Sequence, residues 1–167
     1  MELVIQDINP DAIDVSLDKA KQYRSLLEPE IAESICLDIL HIVPEHQATL
    51  TVYILALSDQ IQKAESRTQI REIKAAIERL TSQYERHYYT GIFHERRARF
   101  LLRQPMSRSF AYSYFEEAVV EFSQAQELSR NKNCDSILRK NSCIRTIIKE
   151  KLKPRKDSED ILFDRES

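Results

Sequence analysis

Apolar residues recur along this chain at the three- and four-residue offsets that place them on one face of an α-helix. Ile31, Ala32, Ile35, Cys36, Ile39 and Leu40 follow that rule between Pro29 and Pro44. Leu50, Tyr53, Ile54, Leu57 and Ile61 repeat it in a stretch from about Gln47 to Lys63. The punctuation between stretches agrees. Asn9-Pro10-Asp11 offers a cap, a first-turn proline and an acidic residue to a first helix ending near Leu27. Pro29 excludes helix at the residue before it yet suits the first helical position. Ser66 and Ser82 each stand three residues before a side chain able to reach back, Gln69 and Glu85, the spacing of a capping box. Residues 66–103 are therefore split into two helices, with one long helix as the alternative because no proline or glycine stands at the junction. A sixth helix spans about Ser109 to Ser129. After the polar turn at 130–133, Ile137, Leu138, Ile144, Ile147, Ile148 and Leu152 mark a seventh.

Seven helices with short connections must lie mostly antiparallel, because short loops leave no room for crossovers. The expected architecture is all-α, a single domain over residues 1–153. A capping helix at about 132–153 closes it, and a charged tail follows at 154–167.

Composition narrows the picture. Hydrophobic residues make up 42% and charged residues 31%, a balance that argues against wholesale disorder. Gly91 is the only glycine. Hairpin turns and phosphate-cradling loops need glycine for positive φ, so sheets, P-loops and dinucleotide motifs find almost no material here. No apolar run approaches the roughly 20 residues that span a bilayer. The acidic start lacks a basic n-region with a long apolar stretch. Cys36, Cys134 and Cys143 form no CxxC pair and read as reduced thiols, which points to the cytoplasm. Charge is uneven: residues 1–80 carry a net −6, residues 81–156 a net +8 and the tail a net −4, for −2 in all.

Two segments sharpen the helical array. Phe115, Ala118, Phe122, Ala125 and Leu128 set small residues among large apolar ones at fixed intervals. Ala32, Cys36, Ile39, Ile42 and Pro44 repeat that arrangement, followed by Leu50, Tyr53 and Leu57, and Gly91 stands behind Tyr88. These segments resemble the tetratricopeptide (TPR) repeat, in which small residues sit where two helices press together. Roughly residues 12–130 are covered. The resemblance is to a divergent member of about three repeats: Ala32 and Ala118 lie 86 positions apart, where two repeats of about 34 residues would give roughly 68. It implies antiparallel helix hairpins wound in a right-handed superhelix. An irregular helical bundle is the alternative.

The same resemblance implies a function. TPR arrays bind an extended peptide or helix of a partner on a concave groove lined by the first helix of each repeat. Carried onto this chain, that groove presents Ala48, Thr51, Leu55 and Asp59 from one repeat and Tyr88, Ile92, Glu95, Arg96 and Arg99 from the next. Arg96 and Arg99 beside Tyr88 are suited to a partner carboxylate, by bidentate contact and an aromatic stack; the alternative is a solvated face on which these arginines pair with nearby glutamates. The lysine–asparagine clamp of chaperone-binding members is not matched. The expectation is a non-enzymatic adaptor or scaffold without cofactor or metal. The runner-up readings are a nucleic-acid or polyanion binder using Arg96, Arg97, Arg99, Arg103 and the basic residues from Arg139 to Lys156, and a homo-oligomer whose opposite-sign halves pair. His87 and His94 share a face but are too far apart for an i, i+4 metal pair. Cys143 reads as a buried small hydrophobe rather than a nucleophile.

Overall fold

Each helix boundary has a local cause. The computed structural model describes residues 1–61, 66–130 and 133–155. Among them are seven α-helices and no strand: α1 Ile13–Ser25, α2 Pro29–Ile42, α3 Gln47–Gln60, α4 Arg67–Glu78, α5 Gln83–Arg103, α6 Ala111–Leu128 and α7 Asp135–Lys149. Short 3-10 turns at Pro10–Ala12 and Arg108–Phe110 lead into α1 and α6. Residues 66–103 do form two helices. The Ser66 and Ser82 hydroxyls accept from the Gln69 and Glu85 amides at 3.1 and 3.3 Å. Only half of the first capping box forms, because the Gln69 side chain donates to the Leu57 carbonyl at 3.0 Å instead of reaching back. His46 caps α3, its Nδ1 accepting from the Thr49 amide at 3.3 Å. The expected end of the third helix at Lys63, part of the turn at 130–133 and most of the charged tail lie outside the described residues.

The single glycine is not where positive φ occurs. α1 closes with Leu27 at φ 63, and α7 with Lys151 at φ 51. Both ends make the paired Schellman bonds, Glu28 to Tyr23 and Leu27 to Arg24, then Leu152 to Ile147 and Lys151 to Ile148. Gly91 instead sits inside α5 for close approach. A Cβ there would meet the Phe122 ring at 2.7 Å.

Successive helices pack on each other, and α1 also meets α3, α3 meets α5 and α5 meets α7. The up-and-down alternation shows in the side-chain ties. Gln47 at the start of α3 donates to the Arg79 carbonyl just past α4 and accepts from the Thr81 amide, at 3.2 and 2.8 Å. Arg79 returns to Glu45 and to the Pro44 carbonyl. Arg108, ahead of α6, pairs with Glu150, past α7, at 2.8 Å.

Two apolar clusters result. One joins α1 to α4 with Phe93, and the other gathers α5, α6 and α7 around Phe115 and Phe122. The small residues Ala32, Cys36, Ala118 and Ala125 are all fully buried, as helices pressed together require. Some expected core positions are not in the core. Ile31, Leu128, Leu138, Ile144 and Ile148 are exposed, because α2, α6 and α7 each pack a narrower stripe than their apolar pattern offers.

Candidate functional site

The residues singled out on α3 and α5 come together. Thr51, Leu55 and Asp59 recur every four residues along α3, which lies against α5. Leu55 and Tyr88 pack on the cluster that holds Ile92, which is buried. The Thr51 hydroxyl donates to the Ala48 carbonyl of its own helix at 2.8 Å. The charged members form a ladder across the odd-numbered helices. Asp59 on α3 takes Arg24 of α1 at 2.8 Å and Arg96 of α5 at 3.0 Å. Glu95 on α5, only 2% exposed, takes Arg99 at 2.8 Å and Arg139 of α7 at 3.1 Å. Arg99 reaches further to Ser142 and Thr146 of α7, at 3.0 and 3.5 Å.

This geometry changes the reading of the arginines. The carboxylates that Arg96 and Arg99 hold are the chain's own, Asp59 and Glu95. Four guanidinium groups surround two carboxylates, which leaves an excess of two positive charges. The ladder is partly exposed: the arginine side chains retain between 18% and 32% of their accessibility. Arg96 Nε is buried without a hydrogen-bond partner. Burial pushes the Arg96 guanidinium below its ordinary value against the pull of Asp59, yet it remains charged at any physiological pH. Chemically the ladder fastens four helices side by side and leaves a positive strip facing solvent.

Arg24 and Arg139 are functional-looking positions that sequence reasoning missed. Arg139 read only as part of a basic run, and nothing in the local pattern singled out Arg24. The pairings span 35 and 44 positions, and no local spacing signals them.

The histidines and two of the cysteines complete the titratable groups near these helices. His87 meets Glu121 at 2.8 Å across α5 and α6. His94 Nδ1 lies 2.9 Å from a Glu117 oxygen but lacks hydrogen-bond alignment. Burial pushes the His94 imidazole down to about 4; Glu121 opposes this while Arg97 and Lys74 add to it. At neutral pH His94 is therefore uncharged. Burial outweighs the nearby carboxylate, since Glu117 is 52% exposed and its charge is screened by water. Cys36 and Cys143 are buried with thiols pushed up to about 12, chiefly by desolvation, so neither presents a thiolate. Among the described residues no group of three or more His, Cys, Asp or Glu is set to hold a metal. A cleft of about 400 Å³ between α2, α3 and α4 is lined by Glu30, Glu33, Leu57, Gln60, Gln69 and Glu72.

No family model matches the chain, and neither a curated protein nor a solved structure matches it. Among the described residues no helix is long and apolar enough to cross a membrane.

Proposed function

We propose that this chain is a non-enzymatic protein-interaction module of the cytoplasm, an adaptor or scaffold that holds a segment of a partner protein against α3 and α5. One observation carries the reading: odd-numbered helices lie beside one another, so Thr51, Leu55, Asp59, Tyr88, Arg96 and Arg99 belong to one face. A TPR-like arrangement, with its right-handed superhelix, would put a groove on that same face and so supports the reading. The excess positive charge of the ladder favours a partner segment with carboxylates. Leu55 and Tyr88 supply apolar contact beside it.

Affinity recovery from native extract tests the proposal, with Leu55→Glu as the variant and circular dichroism as the check on folding. Leu55 is half-buried and outside the ion-pair ladder. Loss of a partner that wild type recovers is the expected result. Equal recovery by the folded variant would overturn the groove.

A second reading has its own support. Arg145, Lys149, Lys151, Lys153 and Arg155 are all exposed around the end of α7, as a polyanion binder requires. Binding of mixed RNA and DNA that weakens steeply with salt would favour it. Salt-insensitive binding, or none, would remove it.

A further inference from the structure

One side of α7 leaves large apolar residues open to solvent. Ile137, Ile144 and Ile148 recur at offsets of seven and four, which aligns them on one side of the helix. Ile148 is 70% exposed, and Leu138, next to Ile137 in the chain, 64%. Arg145 and Lys149 flank the stripe and are also exposed.

A second apolar patch stands at the opposite end of the chain. Residues 1–9 are without helix or strand, and within them Leu3 is 85% and Ile5 89% exposed, with Val4 between them. Glu2 and Asp7 bracket this arm, and exposed Leu37 of α2 lies next to Ile5. Asp7 sits 3.3 Å from His41 of α2. α2 packs on α1 and α3, whereas α7 packs on α5 and α6. The two patches therefore cannot meet within one copy. Their charges are complementary, and so are the regions that carry them, net −6 over residues 1–80 and net +8 over 81–156.

We infer that a second copy of this chain supplies the contact: the arm of one copy lies on the α7 face of the next. Leu3 and Ile5 cover Ile144 and Ile148, while Glu2 and Asp7 approach Arg145 and Lys149. The two patches differ, so the contact is heterologous and runs head to tail. Such contacts close into a ring or continue as an open chain.

Sedimentation velocity on the full chain over a range of concentrations tests this, using Ile5→Glu and Ile148→Glu. Both side chains are exposed, so neither change disturbs the core. Wild type is expected to gain mass with concentration. Each variant alone should associate roughly tenfold more weakly or worse, since a charge replaces a buried isoleucine in the contact. An equimolar mixture of the two variants should restore a one-to-one dimer and nothing larger, because each retains the patch that the other lacks. A wild type that stays monomeric at high concentration would overturn the inference, as would a mixture that forms no dimer. Association untouched by either variant places the contact elsewhere and also overturns it. If wild type is monomeric but a chain ending at residue 155 associates, the α7 face belongs to the chain's own acidic tail, and the second-copy contact fails.

Discussion

Helices α1 to α4 close on an aliphatic core in which Leu50, Ile54, Leu57, Ile61, Ile73 and Leu80 are out of reach of solvent, whereas α7 sets only Ser136 and Cys143 fully inside. The first region gains most of its stability from apolar area removed from water, an interaction indifferent to direction. α7 depends more on directed polar contacts: Arg139 to Glu95, and Ser142 and Thr146 to Arg99. The buried Ser136 hydroxyl finds no partner. An element held this way opens at lower free-energy cost than the region beside it. The proposed functional face crosses the boundary between the two regions.

Breaking the ladder should separate them most sharply. Glu95→Ala leaves Arg99 and Arg139 without their buried carboxylate, at a cost of about 3 kcal/mol, the low end for such a pair because both arginines keep some solvent. Hydrogen exchange should show α7 amides losing more protection than those of α3. A uniform loss across the chain would mean that α7 is not the weaker region.

Next in size is the α5–α6 contact. Gly91→Ala pushes a Cβ into the Phe122 ring, for a net loss of about 1–3 kcal/mol despite alanine's better helix propensity. Phe122→Leu in the same background should recover part of it, so the two changes will not add. Urea midpoints of the four chains measure this directly, and strict additivity would contradict the close approach.

Acid should act on the same contact. The folded imidazole of His94 titrates near 4, below the ordinary value of about 6.5. Between those values the unfolded chain binds the proton and the folded one does not, so this group's contribution to stability is full above pH 6.5 and falls as pH drops towards 4. The expected loss is about 1–2 kcal/mol by pH 4.5, because Glu117 and Glu121 favour the charged form. His94→Gln should flatten that part of the profile, and an unchanged slope would assign it to other groups.

The smallest effect concerns the end of α1. Leu27 stands at φ 63 and is 84% exposed, so Leu27→Gly should stabilise the chain by about 1 kcal/mol through relief of the left-handed backbone. A lower melting temperature would show that Leu27 makes a contact worth more than that strain.

Much of this architecture was legible before any coordinates. The helix count, the two serine caps, the Pro29 start and the small-residue packing of Ala32 and Ala118 all follow from local spacing. Where local spacing ended, so did legibility. Leu138 and Ile148 obey the same periodicity as buried residues, and periodicity does not say how wide a stripe the neighbours cover. The Arg99–Glu95 pair follows from a four-residue spacing, whereas the Arg96–Asp59 pair joins two helices and has no local signal. Arg24 and Arg139 become partners of Asp59 and Glu95 only once helices far apart in sequence lie side by side. The positive-φ positions went unread because the chain fills them with leucine and lysine.

α5 contributes Phe93 to the first apolar cluster and Ile92 and Ala98 to the second, and its consequence reaches into synthesis. A nascent chain that has emerged only as far as α4 holds nearly all the aliphatic core but lacks Phe93, which plugs it. α5 in turn cannot bury its other side until Phe115 and Phe122 have followed. The growing chain thus carries an unfinished apolar surface until α6 is made, and the order of emergence sets how long that surface is open to other proteins in the cell.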